Sequence, residues 1–333
     1  MILRGRERQL KRSARDNMAG NYRSESAGLT GISDTKAVCG LMLNWNRWAA
    51  TVACLESLLV QTVPLVEIIV VDNGSDDDSV EQIRRRFPQV IVLETHRNLG
   101  FSAGCNVGLE RALALNYDYV LLVNNDTVLA PEALACLLRE ACLDVGILSP
   151  KIFYASEPDR IWSIGGGCHP LTLEKTDDAR GQLDDSQRYK TCEREYLVGC
   201  GMLISLNALR EVGLFDTRFF LYYEDSDLSL RFRQAGFRLV MVGDAHMWHK
   251  VATSSGGADS PAERYYMAKS SIIFFRKHVD GLRWLIVGPY RLGSALKTTW
   301  RLARQRRFDS IRAYWRGLRD GLRLPIATTD VAP

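Results

Sequence analysis

The sequence predicts an α/β protein with a mostly parallel central sheet, followed by a helical C-terminal segment, and three observations carry that expectation. Strand-like and helix-like segments alternate from about Lys36 to Pro150. Two of the strand-like segments, "VEIIVV" and "YVLLV", are continuous apolar runs, the pattern of strands covered on both faces. After Ala262 the pattern is helical to about residue 323, without a repeat.

In chain order, strands are expected at 37–43, 66–72, 90–94, 119–124 and 145–149, with helices at 47–59, 78–87, 102–115 and 131–142 between them. Right-handed crossovers through those helices make the sheet parallel. The stretch "GFSAGCNVG" puts Gly100, Gly104 and Gly108 on one helical face, a device for close packing; it lacks the GxGxxG spacing of a dinucleotide site. Past Pro150 the alternation weakens, "SIGGGCHP" reads as a flexible turn, and residues 168–190 form a long polar loop with the character of a lid. A helix at about 225–235, a strand at 238–242 and the segment "HMWHK" close the first unit. The domain boundaries that follow are a basic mobile tail at 1–35, a catalytic-type α/β domain at 36–258 and a basic amphipathic helical region at 259–325.

Composition narrows the classes. At 333 residues and 46% hydrophobic content the chain builds a substantial core. It has no run approaching the ~20 apolar residues of a membrane helix, and its first thirty residues lack the apolar core of a secretory signal, so the expected location is the cytoplasm. The eight cysteines are scattered, mostly in apolar runs, with no CxxC pair, and reduced thiols are expected. The net charge of +4 is concentrated in residues 1–23 and 276–323, so the two ends of the chain face something negative.

Several strand-like runs end in polar side chains. The first runs into Asn44-Trp45-Asn46-Arg47, the second ends in "VVDNGSDD" with Asp72, and the fourth, "LLVNNDTVL", ends in Asn124-Asn125-Asp126. A parallel sheet brings these three ends to one carboxyl edge, where open α/β sheets bind ligands. Each tripeptide alone also reads as a turn. A fourth segment, "YYEDSDLSLR", opens a late helix with Glu224, Asp225 and Asp227, acids that complement the helix dipole whether or not they do chemistry. Arg231 and Arg233 read as a solvated helix face, with a diphosphate as the alternative partner.

In this order the motifs resemble the family 2 glycosyltransferases of the GT-A fold, and within them a bacterial rhamnosyltransferase-like branch. The resemblance covers about residues 37–280: "LNWN", "VVDNGSDD", "NLGFSAGCNVGL", "LLVNNDTVL" and "GLFDTRFFLYYEDSDLSLRFRQAGFRL". It implies a GT-A nucleotide-sugar-binding domain. It also implies an inverting, metal-dependent transfer of a sugar such as rhamnose from a pyrimidine nucleoside diphosphate to a polysaccharide or lipid-linked glycan. By the same resemblance Asp72, Asn44, Asn98, Asn124 and Asn125 belong to the donor pocket. Asp126 matches the last aspartate of the family's DxD motif, whose divalent cation, Mg or Mn, sits on the donor diphosphate. The first DxD aspartate is Asn124 here, which lowers the protein's charge at the metal. His249 matches a late histidine that the family often supplies to that metal; a structural histidine is the other reading, and His246 is the competing candidate. Asp225 matches the general base, with Glu224 beside it.

Two other classes were weighed. A sugar-phosphate nucleotidyltransferase needs a glycine-rich loop after the first strand, and Asn44–Arg47 contains no glycine. A non-catalytic carbohydrate-binding protein on a degenerate transferase fold draws support from Asn124, against which stand Asp126 and Asp225. The C-terminal segment, mixing arginines with Trp284, Leu285, Ile286 and Trp300, suits a peripheral position on an anionic inner membrane surface or a helix packed on the catalytic domain. Nucleic acid is not an expected partner, because no binding motif accompanies the charge.

Overall fold

The structure is a computed structural model that describes residues 36–185, 188–250 and 257–325, so the tail expected at 1–35 lies outside the described residues. The alternating first part forms β1 (Val38–Asn44), α1 (Trp48–Leu59), β2 (Glu67–Asp72), α2 (Ser79–Arg86), β3 (Ile91–Glu94), α3 (Gly100–Ala114) and β4 (Tyr119–Asn124). It continues with β5 (Thr127–Leu129), α4 (Ala133–Arg139), β6 (Val145–Tyr154), β7 (Glu157–Ser163), β8 (Cys192–Arg194), β9 (Gly201–Ser205) and α5 (Leu206–Val212). The last elements are α6 (Glu224–Gln234), β10 (Arg238–His249), α7 (Pro261–His278), α8 (Trp284–Arg304) and α9 (Phe308–Arg323).

One sheet runs β3-β2-β1-β4-β9-β6-β10-β5, with β7 paired to β6 and β8 to β10. The pairs β1–β2, β1–β4, β2–β3 and β6–β10 are parallel, and β9 lies antiparallel between β4 and β6. Successive strand residues feed opposite cores. Met42, Val70 and Leu121 pack with Cys54, Leu55 and Leu58 of α1 on one face, while Leu41, Ile69 and Leu122 pack with Cys105 and Leu109 of α3 and Phe232 of α6 on the other. This two-sided burial is what the continuous apolar runs encode. Helix α3 approaches β1 closely because its inner face carries glycines: a Cβ at Gly104 would meet Leu43 Cδ1 at 2.6 Å, and one at Gly108 would overlap Leu41.

Several elements differ from the sequence reading. Strand β6 continues through Pro150 to Tyr154 instead of ending at residue 149. Proline removes a ladder donor, and the neighbouring β10 absorbs the gap with a register irregularity between Val242 and His246, opposite Pro150 and Lys151. Strand β10 therefore runs on from residue 242 to His249, so "HMWHK" lies on a strand. Strands β5, β7, β8 and β9 and helix α5 had no counterpart in the pattern; β9 is a short apolar run that is legible only as the partner of β4 and β6.

The stretch "SIGGGCHP" is packed and not a flexible turn. Gly166 bridges to Tyr196, and a Cβ there would collide with the Thr176 carbonyl oxygen. The polar loop is also tied down: Leu173, Ala179 and Tyr189 are buried, and Asp184 accepts at 2.8 Å from the Nζ of Lys151, a lysine only 2% exposed.

Helix α7 begins at a cap that the pattern carries: Ser260 Oγ accepts from Glu263 N at 3.1 Å, and Pro261 takes the first helical position. Its Ile273, Phe274 and Phe275 are buried with Leu173 and Phe219, so the expected boundary at 258–259 separates segments that share a core. From Ala37 onward the described residues belong to one compact unit.

Candidate active site

Strands β1, β2 and β4 deliver their carboxyl ends to one edge, with Asn44 in register with Asp72 and Leu43 with Asn124. The polar side chains there form a continuous chain. Asn125 Nδ2 donates to Thr51 Oγ1 at 3.0 Å, Thr51 donates to Asn44 Oδ1 at 2.7 Å, and Asn44 Nδ2 donates to Asp72 Oδ1 at 2.9 Å. Thr51, on the first turn of α1, closes the link between the ends of β4 and β1. The sequence reading missed it, because a threonine on a buried helix face reads as packing.

Asp72 is buried, and its carboxylate also accepts from the Ser75 hydroxyl at 2.5 Å and from Ser75 N at 3.0 Å. It therefore builds the "DNGS" turn as well as anchoring Asn44. Asn98 is drawn into the same edge through Asn73, whose Nδ2 donates to Asn98 Oδ1 at 3.1 Å, while Gly100 N donates to that oxygen at 2.9 Å. These mutual bonds hold Asn44, Asp72 and Asn73 in fixed orientations at the strand ends.

Asp126 and His249 meet because β5 pairs with β10, Thr127 opposite His249. His249 Nε2 lies 3.1 Å from Asp126 Oδ1, the imidazole is buried edge-on to Trp162, and its Nδ1 has no hydrogen-bond partner. His246 is turned elsewhere, its Nε2 3.1 Å from the Gly243 carbonyl, so of the two candidate histidines it is His249 that faces the aspartate. Among the described residues no three His, Cys, Asp or Glu side chains cluster as a complete ligand set.

Glu224 and Asp225 follow two residues in the left-handed region, Tyr222 and Tyr223, both at φ 68°. For non-glycine residues this costs on the order of 1–3 kcal/mol each and is held by surrounding structure; here the ring of Tyr223 packs on Phe274 and Phe275 of α7. The N-cap residue Tyr223 makes no side-chain hydrogen bond to α6, and the first turn is acidic instead, with Glu224, Asp225 and Asp227. Asp225 Oδ2 accepts from Gly199 N at 3.3 Å, and its Oδ1 accepts from Ser226 N at 2.7 Å. Next to Gly199, the Cys200 carbonyl accepts from Asn124 N at 3.0 Å, which ties the β4 end to the Asp225 segment. Burial pushes the Cys200 thiol well above its ordinary value, and the Asp126 and Asp225 carboxylates both push it further.

Glu224 is buried with Oε2 unpartnered; burial first, then the Asp225 charge, pushes its carboxyl up to about 8, toward the neutral form. Lys175 comes from the polar loop: Nζ donates to Ser226 Oγ at 2.6 Å, lies 3.9 Å from Asp225 Oδ1 and sits over the ring of Tyr196. Nothing in the polar loop's sequence marked it, because only the fold carries residue 175 to residue 225. The arginines of α6 are both engaged by protein groups, and Arg233 stays partly exposed as expected. Arg231 bonds Asp227 and the carbonyls of Val212, Gly213 and Leu214, and Arg233 bonds Glu195.

The chain is similar to known proteins. Residues 41–213 match glycosyl transferase family 2. The chain is 30% identical over 281 residues to the N-acetylglucosaminyl-diphospho-decaprenol L-rhamnosyltransferase of Mycobacterium tuberculosis, covering 76% of this chain and 90% of that protein. Among solved structures, the mannosyltransferase PcManGT from Pyrobaculum calidifontis, in complex with GDP-Man and Mn2+, superposes with a TM-score of 0.53 at 16% identity over 93% of this chain and 82% of its own. GalNAc-T7 with UDP, GalNAc and Mn2+ gives a TM-score of 0.56 at 15% identity over 74% of this chain, which spans about half (51%) of that structure. The fold is thus the GT-A fold. A relative matched along nine-tenths of its length and a family match that runs from β1 to the end of α5 place the chain in glycosyl transferase family 2, and it is a glycosyltransferase.

Proposed function

We propose that the protein transfers a deoxyhexose such as rhamnose, with inversion, from a pyrimidine nucleoside diphosphate to a hydroxyl of a lipid-linked or polysaccharide acceptor. The observation that carries the reading is the pairing of Asp126 with His249 just past the end of β4, together with the hydrogen bonds by which Gly199 and Cys200 join that strand end to Asp225. The similarity to a rhamnosyltransferase acting on a diphospho-decaprenol acceptor supports the choice of sugar and acceptor class.

Asn44, Asp72, Asn98, Asn124 and Asn125 wall the donor pocket; a pyrimidine offers one ring N–H and carbonyls to such amides and carboxylates. Asp126 and His249 would hold a divalent cation, Mg or Mn. One carboxylate and one imidazole at 3.1 Å, with no third ligand side chain clustered beside them among the described residues, fit an ion whose remaining positions are taken by diphosphate oxygens and water. Bound there, such an ion neutralises charge on the departing diphosphate.

Asp225 acts as general base. As the acceptor oxygen forms its bond to the anomeric carbon, the bond from that carbon to the diphosphate oxygen breaks. The electron pair leaves with the nucleoside diphosphate, and the acceptor proton passes to the Asp225 carboxylate. Lys175 and Ser226 hold that carboxylate in place, and Glu224, pushed toward its neutral form, adds less negative charge beside it.

The test is a panel of nucleotide-sugars scored by thermal stabilisation and by slow donor hydrolysis, with and without Mg2+ or Mn2+. A donor at a hundred times its dissociation constant stabilises the fold by roughly 2.7 kcal/mol. A deoxyhexose on a pyrimidine nucleotide should stand out, and only with the cation. Selection of a purine nucleotide, or stabilisation independent of the cation, overturns the corresponding part of the reading.

A further inference from the structure

Helix α8 packs inside out. Val287, Ala295 and Leu302 are its buried residues, whereas the opposite side shows Leu285 at 73%, Leu292 at 57%, Leu296 at 56% and Trp300 at 61% exposure. With Pro289, these positions are spaced by three or four residues and form one stripe along a helix about 30 Å long. A stripe of this size is not ordinary surface scatter. From Gly281 to Phe308 the chain has seven arginines and lysines and no acidic residue; Arg283, Arg291 and Arg301 turn inward to the Pro170 carbonyl, Glu174 and Asp259, while Lys297, Arg304, Arg306 and Arg307 are exposed. Aromatic and aliphatic side chains facing outward within an all-basic segment complement a surface that is apolar below and anionic above. No helix among the described residues is long and apolar enough to cross a membrane, so the helix would lie in the interface.

We infer that the Leu285–Trp300 face of α8 docks on an anionic lipid bilayer. The inner side of the same helix region holds the loop that reaches the proposed base. Arg283 donates to the carbonyls of Pro170 and Leu171, and Arg291 lies 3.7 Å from Glu174, next to Lys175. Lipid contact is thereby joined mechanically to the segment beside Asp225. A protein partner would be expected to bring acidic residues to this basic border, and a second copy of the helix brings the same positive charge.

The experiment is co-flotation of the full chain with phosphatidylglycerol–phosphatidylcholine vesicles and with pure phosphatidylcholine vesicles, at low and high salt. No nucleotide-sugar is present, so the result is independent of the reaction proposed above. Wild-type protein should float with the anionic vesicles, less so in high salt. The double variant Leu292→Glu/Leu296→Glu, at exposed positions that leave the melting temperature unchanged, should lose at least roughly tenfold in partitioning. If that variant melts early, Arg304→Glu/Arg306→Glu, which leaves the apolar stripe intact, decides by the same loss. Unchanged partitioning of the folded variants, or equal binding to neutral vesicles, overturns the inference. So does a wild-type dimer that the leucine substitutions dissociate in the absence of vesicle binding.

Discussion

At the scale of the residue, two carboxylates one position apart sit in opposite surroundings, which suits them to the different roles proposed for them. Asp225 accepts from Gly199 N and Ser226 N near a lysine, whereas Glu224 is buried with an unpartnered oxygen. Replacing Asp225 by Asn keeps the shape of the site and removes the proton acceptor; turnover should fall at least roughly a hundredfold with donor affinity retained, as single-turnover rates and donor titration would show. Asp126→Ala removes the carboxylate opposite His249, and cation-dependent donor stabilisation should vanish in thermal shift while the cation-free melting temperature stays near that of the parent. For Glu224 the sign follows from linkage. Its carboxyl ionises at about 8 when folded, against an ordinary 4.5, so the folded chain retains a proton that the unfolded chain has released. The contribution is full below the ordinary value and is lost as pH rises through the folded one. Urea midpoints should therefore decline across that window, and Glu224→Gln should flatten the decline.

At the scale of the element, the site depends on segments that have little regular structure. The polar loop presents Lys175 because neighbouring backbone is pressed against it: the Gly166 backbone touches the Thr176 carbonyl, and Gly167 N donates to Thr176 Oγ1 at 3.1 Å. A methyl group at Gly166 has nowhere to go, since its obstacle is backbone. Gly166→Ala should cost about 1–3 kcal/mol and should expose residues 168–190 to limited proteolysis, with a drop in turnover as Lys175 leaves Ser226. Equal protease resistance in parent and variant would show that the loop does not depend on this contact. Elements that looked regular in the sequence were shaped by their neighbours as well: β6 carries Pro150 within the sheet only because β10 changes register beside it.

At the scale of the molecule, the C-terminal helices and the catalytic domain are joined by buried charge. Asp227 on α6 is fully buried and meets Arg231 at 2.8 Å, Lys277 at 2.8 Å and His278 at 2.7 Å, the last two from α7. Burial alone would raise its carboxyl, but the His278 hydrogen bond and the Arg231 and Lys277 charges outweigh that and hold it well below the ordinary range. Stability from this group is present above the ordinary aspartate value and is lost as pH falls below it, the reverse of Glu224. Asp227→Ala leaves Arg231 and His278 without their buried carboxylate, while Lys277 keeps Asp216 at 2.7 Å, and should lower stability on the order of 3–5 kcal/mol in urea titration, far more than an exposed ion pair would. Because Phe274 and Phe275 on the same helix support Tyr223, the variant should also lose turnover before global unfolding.

The sequence by itself determined the alternating first half, from β1 to β4, and the polar strand ends Asn44, Asp72 and Asn124–Asp126. Both are local: continuous apolar runs specify strands covered on both faces, and a carboxylate after such a run has no place but the rim. It also carried the helical nature of residues 261–323 and the basic, aromatic character of α8. What only the tertiary structure decided depends on pairings distant in sequence. The antiparallel β9 exists between β4 and β6, Thr51 bridges Asn125 and Asn44, Lys175 reaches Ser226 across fifty-one positions, and His249 rather than His246 faces Asp126. Period and composition report which face of an element is buried; they do not report which distant segment covers it, and the orientation of α8, with Leu285, Leu292 and Leu296 outward and Leu302 inward, is the plainest instance of that limit.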